Sequence, residues 1–358
     1  MSERFTSSNG YGPVSEALNF LRGIQQSDGA ISGFVTSTWA VMAIAAAGED
    51  PNEWTGSSSD SIVNYLITNK HLLDLNNALD VARFILAMTA ADENPRNIIG
   101  IDYVAALRNL SVNGQIGNEA WLNDDFWGVL ALISAGETTT TTVVHESVEF
   151  IKAHQNADGG WGWGIVTASD VDDTAAAIMA LVSAGEDSSS EVVENALQYL
   201  RDNQQSNGGF SSWDVTNTGS DSWAMGAIAS VGQPPAQWQV GGTNVVEHLL
   251  SLQNENGSFN WTSDDPPEID KAWYTSYAIV ALCLNPYPVN VSSPPITLRG
   301  DLNADGIVDI FDIIICAIAF GSYPGHSKWN PFADLDGNEV IDIFDIVIII
   351  VHFGESVI

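Results

Sequence analysis

Two kinds of apolar segment alternate along residues 14–287. The first, seen in SEALNFLRGIQ (15–25), VENALQYLRDNQ (193–204) and VVEHLLSLQ (245–253), places apolar residues at i, i+3, i+4 and i+7. That spacing is the stripe of a helix with one solvated face. The second is nearly all Ala, Ile, Leu, Met and Trp and ends on a small-residue stop: AIAAAGED (43–50), ALISAGE (131–137), ALVSAGED (180–187) and AIASVGQ (227–233). Helices of that composition are buried on most sides. A degenerate copy runs from Asn77-Ala78-Leu79-Asp80 to Thr89-Ala90-Ala91-Asp92, and a sixth ends at Ala281-Leu282-Cys283-Leu284. The period of roughly 40–50 residues marks a repeat architecture. The pattern predicts an all-α chain of six helical hairpins, each an outer helix followed by an inner one. Closed in a ring, they form an α6/α6 toroid; an open solenoid is the alternative.

Four connections share a second pattern: Gln25-Gln26-Ser27-Asp28-Gly29, Gln155 with Asp158-Gly159-Gly160-Trp161, Gln204 with Asn207-Gly208-Gly209-Phe210, and Gln253 with Asn256-Gly257-Ser258-Phe259. Asn/Asp-Gly supplies a turn with positive φ. The aromatic that follows can pack over helix ends, and the Gln can bond to neighbouring backbone. The fullest copy continues into Asp170-Val171-Asp172-Asp173-Thr174-Ala175. Acids at a helix start cap free N–H groups and suit the helix dipole. The competing reading is that Asp172 is a Brønsted acid.

Q-x-x-[D/N]-G-x-[W/F] turns in a ring of helical hairpins resemble the QW repeats of squalene–hopene cyclases and protein prenyltransferase β-subunits. The run from Asp170 to Ala175 resembles the D-x-D-D-T-A motif of class II terpene cyclases. That resemblance implies that Asp172 protonates an alkene or epoxide, with Asp170 and Asp173 holding the proton and tuning the acid. Aromatic faces would then stabilise the cation; Trp121, Trp127, Trp161, Trp163, Trp223, Trp273 and Tyr274 lie near turns and inner-helix starts. Asp124, Asp125, Asp221 and Asp270 stand at similar places, so an acid there also reads as a repeat feature. A prenyltransferase-type zinc site lacks its Asp-x-Cys, and His71, His145, His154 and His248 fall in outer or connecting segments, where solvation is expected. A mouth of Trp and carboxylates also suits a sugar, whose hydrolysis needs two opposed acids.

Residues 1–284 are thus assigned to the toroid and the Pro-rich residues 285–297 to an extended linker. Residues 298–358 contain two calcium-type loops. Asp301, Asn303, Asp305, Asp309 and Asp312 supply oxygens, with Ile307 giving its carbonyl; Asp334, Asp336, Asn338, Val340, Asp342 and Asp345 repeat the set. Each loop runs into an apolar helix ending in Phe-Gly. Two such units resemble a type I dockerin. This implies two Ca2+ ions, a cohesin-bearing scaffold partner, and Ile310, Phe311, Ile343 and Phe344 as partner-binding positions in two near-symmetric modes. Glu339 replaces the second loop's glycine, so the second site is expected to be weaker.

Composition adjusts this picture only at its edges. The net charge of −34, from 45 acids and 11 bases, argues against nucleic acid. It fits cation binding. No apolar run approaches the roughly 20 residues of a membrane span, and Cys283 and Cys316 read as buried thiols. MSERFTSSNGYG lacks a secretory build, although a dockerin implies an extracellular or cell-surface place. The primary expectation is therefore a calcium-dependent, scaffold-anchored protein whose toroid binds a ligand or protein partner. The alternatives are a carbohydrate-active component of a cellulosome-like complex and a class II terpene-cyclase-like enzyme acting through Asp172.

Overall fold

The computed structural model describes residues 12–55, 60–212, 214–265, 271–289 and 300–302. In the C-terminal region it describes residues 307–323 and 340–355, with residues 326, 328, 330, 333–335 and 338 between them. Six inner helices are α2 (Phe34–Ala46), α4 (Ala78–Ala90), α6 (Asn123–Ser134), α8 (Val171–Ser183), α10 (Thr218–Ser230) and α12 (Ala272–Leu282). They alternate with outer helices α1 (Pro13–Ile24), α3 (Ile62–Thr68), α5 (Tyr103–Asn109), α7 (Thr142–Ala153), α9 (Glu191–Asn203) and α11 (Val245–Ser251). Three antiparallel hairpins of two-residue strands sit in the connections, with Ser111, Ser211 and Gln239 opposite Ile116, Thr216 and Asn244.

Each inner helix packs on the next, and α12 packs on α2, so the ring is closed and the open-solenoid alternative falls. The pairing of outer with inner helices differs from the expected hairpins. Each outer helix rests chiefly on the inner helix before it: α3 on α2, α9 on α8, and α1 on α12 across the closure. The reason lies in the turns. Gln25, Gln155, Gln204 and Gln253 each donate to the carbonyl of the turn glycine four residues on. Each amide also donates to the start of the next outer segment: Trp54 O at 3.0 Å, Val192 O at 2.8 Å, Trp238 O at 2.8 Å and, closing the ring, Pro13 O at 2.8 Å. Such bonds are worth about 1 kcal/mol each, and they select direction as well as strength.

The segment assigned to a linker begins inside the ring. Tyr287 is buried among Trp39, Trp127 and Trp223, with ring centroids at 5.7, 5.6 and 5.4 Å. Apolar surface on Pro286 and Tyr287 fills the axis left between the inner helices; residues 290–299 lie outside the described residues.

The C-terminal region pairs α13 (Ile310–Ala319) with α14 (Ile343–His352), each opened by a capping box, Asp309 with Asp312 and Asp342 with Asp345. Val308, Cys316, Ala319, Ala333, Ile341 and Ile349 form its core. The halves exchange backbone bonds in like fashion, Gly354 N to Val308 O and Gly321 N to Ile341 O.

The turn glycines test the closure. Gly257 has φ +85°, and a Cβ there would stand 2.0 Å from Glu16 O of α1. Gly257→Ala is expected to lose about 1–3 kcal/mol from the left-handed backbone alone, and more from the collision. Gly242→Ala, with φ +90° and open space around the Cβ, should lose only the backbone share. Equal shifts of the thermal midpoint for the two variants would show that the closing contact is not tight.

Candidate active site

One hydrogen bond sets the register of five inner helices. A side-chain oxygen near the start of the helix accepts the backbone N–H of the turn's buried apolar residue. Ser37 accepts from Ile31 at 3.0 Å, Asp125 from Ile116 at 2.8 Å and Thr174 from Trp161 at 2.9 Å. Asp221 accepts from Phe210 at 2.7 Å and Thr275 from Phe259 at 3.0 Å. Two positions before this anchor stand Val35, Asn123, Asp172, Gly219 and Trp273. In α4 the same count from the N-cap Asn77 gives Leu79. Two positions after it stand Trp39, Arg83, Trp127, Ala176, Trp223 and Tyr277. Positions i and i+4 share a helix face, so these are two layers of one axial lining, about 6 Å apart along the helices.

This register sorts the acids that sequence alone groups together. Asp125 and Asp221 do the anchoring work of Thr174. Asp124 occupies the place of Asp173 and accepts from Asn118 N at 2.8 Å. Asp270 lies outside the described residues. Of the six positions in the upper layer, only the one in α8 carries a carboxylate, Asp172. The cap of α8 is Asp170, which accepts from Asp173 N at 2.8 Å, so Asp172 is not needed as a cap.

Asp172 is surrounded by protein yet retains some accessible surface, the mark of a group in a cleft. Its Oδ1 is buried and has no hydrogen-bond partner. Burial pushes its carboxyl up to about 7; the charges of Asp170 and Asp221 add to this, and a hydrogen bond with Ser220 opposes it. Burial also raises Asp173, which shares a hydrogen bond with Asp170. Asp221 is fully buried and lies 2.6 Å from His248 Nδ1; burial raises it, and the histidine pulls the other way. His248 in turn lines an outer pocket of about 340 Å³ with Asn207, Thr216, Thr243 and Glu247. A chain of polar groups therefore runs from the outer surface toward Asp172. The expectation that His248 is solvated is wrong: it is buried, because Asp221 needs a partner inside the wall.

The lower layer is aromatic. Trp39 meets Tyr277, Trp127 and Trp223 edge-on at 5.0, 5.5 and 5.9 Å, and Trp223 meets Tyr277 at 4.6 Å. Arg83, in the same layer, pairs with Asp80. Ala176, a small residue, lies one turn below Asp172. Of the expected lining residues, Trp127 and Trp223 are in this layer and Trp273 is in the upper one. Tyr274 is displaced to the rim, tilted against Trp261 at 4.9 Å. Trp121 and Trp163 pair at 6.3 Å on the exposed rim. Trp161 does not line the mouth: it is wholly buried, and its Nε1 donates to Ile151 O at 2.8 Å, toward the outer helix. Trp39, Tyr277 and Tyr287 were not foreseen. The first two stand at the spacing that Trp127 and Trp223 keep from their anchors, a countable signal; Tyr287 is outside the repeats.

In the C-terminal region Asp312 and Asp345 are fully buried, and Asp301, Ile307, Asp309, Asp334, Asn338, Val340 and Asp342 are described. Asn303, Asp305 and Asp336 lie outside the described residues. Among the described residues no group of three or more His, Cys, Asp or Glu is arranged to hold a metal. Ile310, Phe311, Ile343 and Phe344 are exposed. No helix of the described residues is long and apolar enough to cross a membrane.

A family profile for the squalene-hopene cyclase C-terminal domain matches residues 125–225, from α6 to α10. The fold is similar to the apo type II terpene cyclase MstE from Scytonema, with TM-score 0.52, 12% identity, and 75% of this chain and 96% of that one covered. A variant of MstE holding geranylgeranyl dihydroxybenzoate gives TM-score 0.53 at 13% identity, covering 75% and 95%. A protein from Actinoplanes gives TM-score 0.52 at 13% identity, covering 76% and 98%. No curated protein matches the chain. Neither the profile nor the MstE structures carry the name of a dockerin or a polysaccharide-active protein. They correct the primary expectation: the profile match covers the segment that contains the acid motif, and the similarity it shows is to a squalene-hopene cyclase domain, not to a binding module on a scaffold.

The buried acid has a cost that pH reveals. Asp172 holds its proton to about pH 7 in the folded chain, whereas an unfolded Asp releases it near about 3.9. Stability is greatest while both forms are protonated and falls as pH rises through about 7; Asp125, also raised to about 7, acts in the same direction. Asp172→Asn should therefore melt above the wild type at pH 8, with the gap closing toward pH 4. A lower midpoint at pH 8, or a gap independent of pH, would rule out this account of Asp172.

Proposed function

We propose that the toroid is a class II terpene-cyclase-type enzyme in which Asp172 protonates the terminal alkene of a linear isoprenoid. One observation carries the reading. Among six equivalent wall positions, a single carboxylate with an unpartnered buried oxygen sits one turn above a layer of four aromatic rings. Protonation uses the alkene π pair to form a C–H bond and leaves a tertiary cation. The next alkene attacks that cation, and a final C–H bond gives up a proton, so the product is an isomer and no co-reactant is consumed. Trp39, Trp127, Trp223 and Tyr277 offer ring faces and edges below the acid. A ring face stabilises a desolvated cation by about 2 kcal/mol. Asp221 and His248 join the outer pocket to the Asp172 side of the wall and suit the return of a proton. The isoprenoid-bearing arene held by the MstE variant belongs to the class of molecule proposed here.

Asp172→Asn is expected to cut cyclisation by about 100-fold or more, the usual worth of a positioned general acid. Turnover should fall as pH rises through about 7, where the acid ionises. Product formation from a panel of prenyl alcohols and prenylated arenes, followed by gas chromatography and mass spectrometry, checks both. Undiminished turnover in the asparagine variant would remove Asp172 from the chemistry.

For residues 298–358 we propose two calcium sites. The support is the like geometry of two wholly buried carboxylates. Asp312 accepts from Leu302 N at 2.6 Å and Asp309 N at 2.7 Å; Asp345 accepts from Leu335 N at 2.7 Å and Asp342 N at 2.8 Å. A cation beside each would offset the burial of its charge. Calorimetry on the full chain should find two Ca2+ sites, the weaker lost in Asp345→Ala and the tighter in Asp312→Ala. No heat of binding, or a tighter second site, would count against this.

A further inference from the structure

Two turns of the ring carry a tryptophan at the same place in the repeat, and the two indoles go different ways. Trp163 and Trp261 each follow by two residues a buried turn aromatic, Trp161 or Phe259, whose N–H meets the anchor of the next inner helix. Each gives its carbonyl to the start of the preceding inner helix. Trp163 O accepts from Leu122 N at 2.9 Å, and Trp261 O accepts from Thr218 N at 2.9 Å. With the backbones held alike, the next residue decides the indole. In α6 that residue is Asn123 of the upper layer, and Trp163 is turned out to the exposed rim against Trp121. In α10 it is Gly219, which is buried, and a Cβ there would stand 2.3 and 2.4 Å from two ring carbons of Trp261. The indole therefore takes the place of the side chain that Gly219 lacks. It lies against Tyr274, itself stacked with Trp273 of the same layer, and Asp265 pins its turn by accepting from Trp261 N. Helix α10 packs on α8, and Ser220, next to Gly219, shares a hydrogen bond with Asp172.

We propose that Trp261 is a positioning residue for Asp172: drawn into the upper layer by Gly219, its indole covers the acid and keeps water from it. The role rests on the cyclase reading for its purpose, but not for its test. An ionised carboxylate away from water needs donors, and Asp172 Oδ1 has none. An indole at the same level displaces water that would otherwise reach the acid, and so favours the protonated form. The other ionisable groups that face Asp172 are Asp170 and Asp173 at the start of α8, Asp221 on α10 and Tyr277 on α12. None of them is altered by the variants below.

The test is thermal melting of the full chain at pH 8 and pH 4, with Asp172 and with Asp172→Asn. The readout is the gain in midpoint that Asp172→Asn gives at pH 8 over pH 4. In a Trp261→Ala background this gain should shrink to about half or less, because a hydrated acid ionises at lower cost. Gly219→Asn, which copies the α6 repeat and displaces the indole, should shrink it likewise. Trp261→Phe should keep most of it, and Trp163→Ala, which removes the equivalent indole from the rim, should leave it unchanged. A role in packing alone would lower all midpoints and leave the gain intact. Should the alanine variant fail to fold, Gly219→Asn carries the comparison. A cooperatively melting Trp261→Ala or Gly219→Asn variant with the parent's full gain would overturn the proposal, as would a parent with no gain to lose. Melting uses no substrate, so this proposal and the cyclase reading fail separately. A gain lost with the indole, but no Asp172-dependent product from any prenyl substrate, would sink the cyclase reading and leave the cover standing. Asp172-dependent product with the same pH profile in the parent and in Trp261→Ala would do the reverse.

Discussion

Every inner helix of this ring is apolar on nearly all sides, and only closure gives each of them two inner neighbours and an outer cover. Ala40 through Ala46 are all buried, as are Ala175 through Leu181 and Ala278 through Leu282. An open array would leave the flanks of α2 and α12 in water. Burying apolar surface at about 25 cal/mol per Å² makes their meeting the step on which the rest depends. The bond from Gln253 to Pro13 O and the close approach of Gly257 to Glu16 O make the last joint resemble the others. A repeat unit can thus serve as its own closing partner.

Closure also creates the axis, and with it a conflict. A wall of small and aromatic side chains is stable; a lone carboxyl in that wall is not, unless it keeps its proton. The repeat contains the conflict by using oxygen at the anchor position, where a backbone N–H always meets it. Asp125, Thr174 and Asp221 show that hydroxyl and carboxylate are interchangeable there. At the wall position they are not interchangeable, because no backbone donor faces it. Asp172 stands where an oxygen lacks support from the fold, and this lends the acid its strained proton affinity.

The aromatic layer answers the same geometry from below. Residues four apart on one helix share a face, so an acid at one level and rings at the next converge on the same axial space. Four rings come from four different repeats, and the fifth from the segment that leaves the ring.

The helices, their number and the two grades of burial were legible in the chain, because periodicity and small-residue stops are local. The two capped apolar helices of the C-terminal region and the start of α8 at the D-x-D-D-T-A run were legible for the same reason. The three acids of that run could not be told apart by spacing alone, since a cap, a shared proton and a wall-facing acid all sit within one helical turn. Nor could Asp172 be separated from Asp125 and Asp221 without the hydrogen bonds that define the anchor. Trp161 and Trp163 are two residues apart, yet one is buried in the turn and the other exposed at the rim. Which outer helix packs on which inner one depended on bonds reaching 29 to 37 residues along the chain, and at the closure over most of the toroid. The burial of His248 and the arrival of Tyr287 on the axis are long-range events of the same kind. Local pattern specifies what each segment becomes; only the closed ring decides what its side chains face, because facing is a relation between distant parts of the chain.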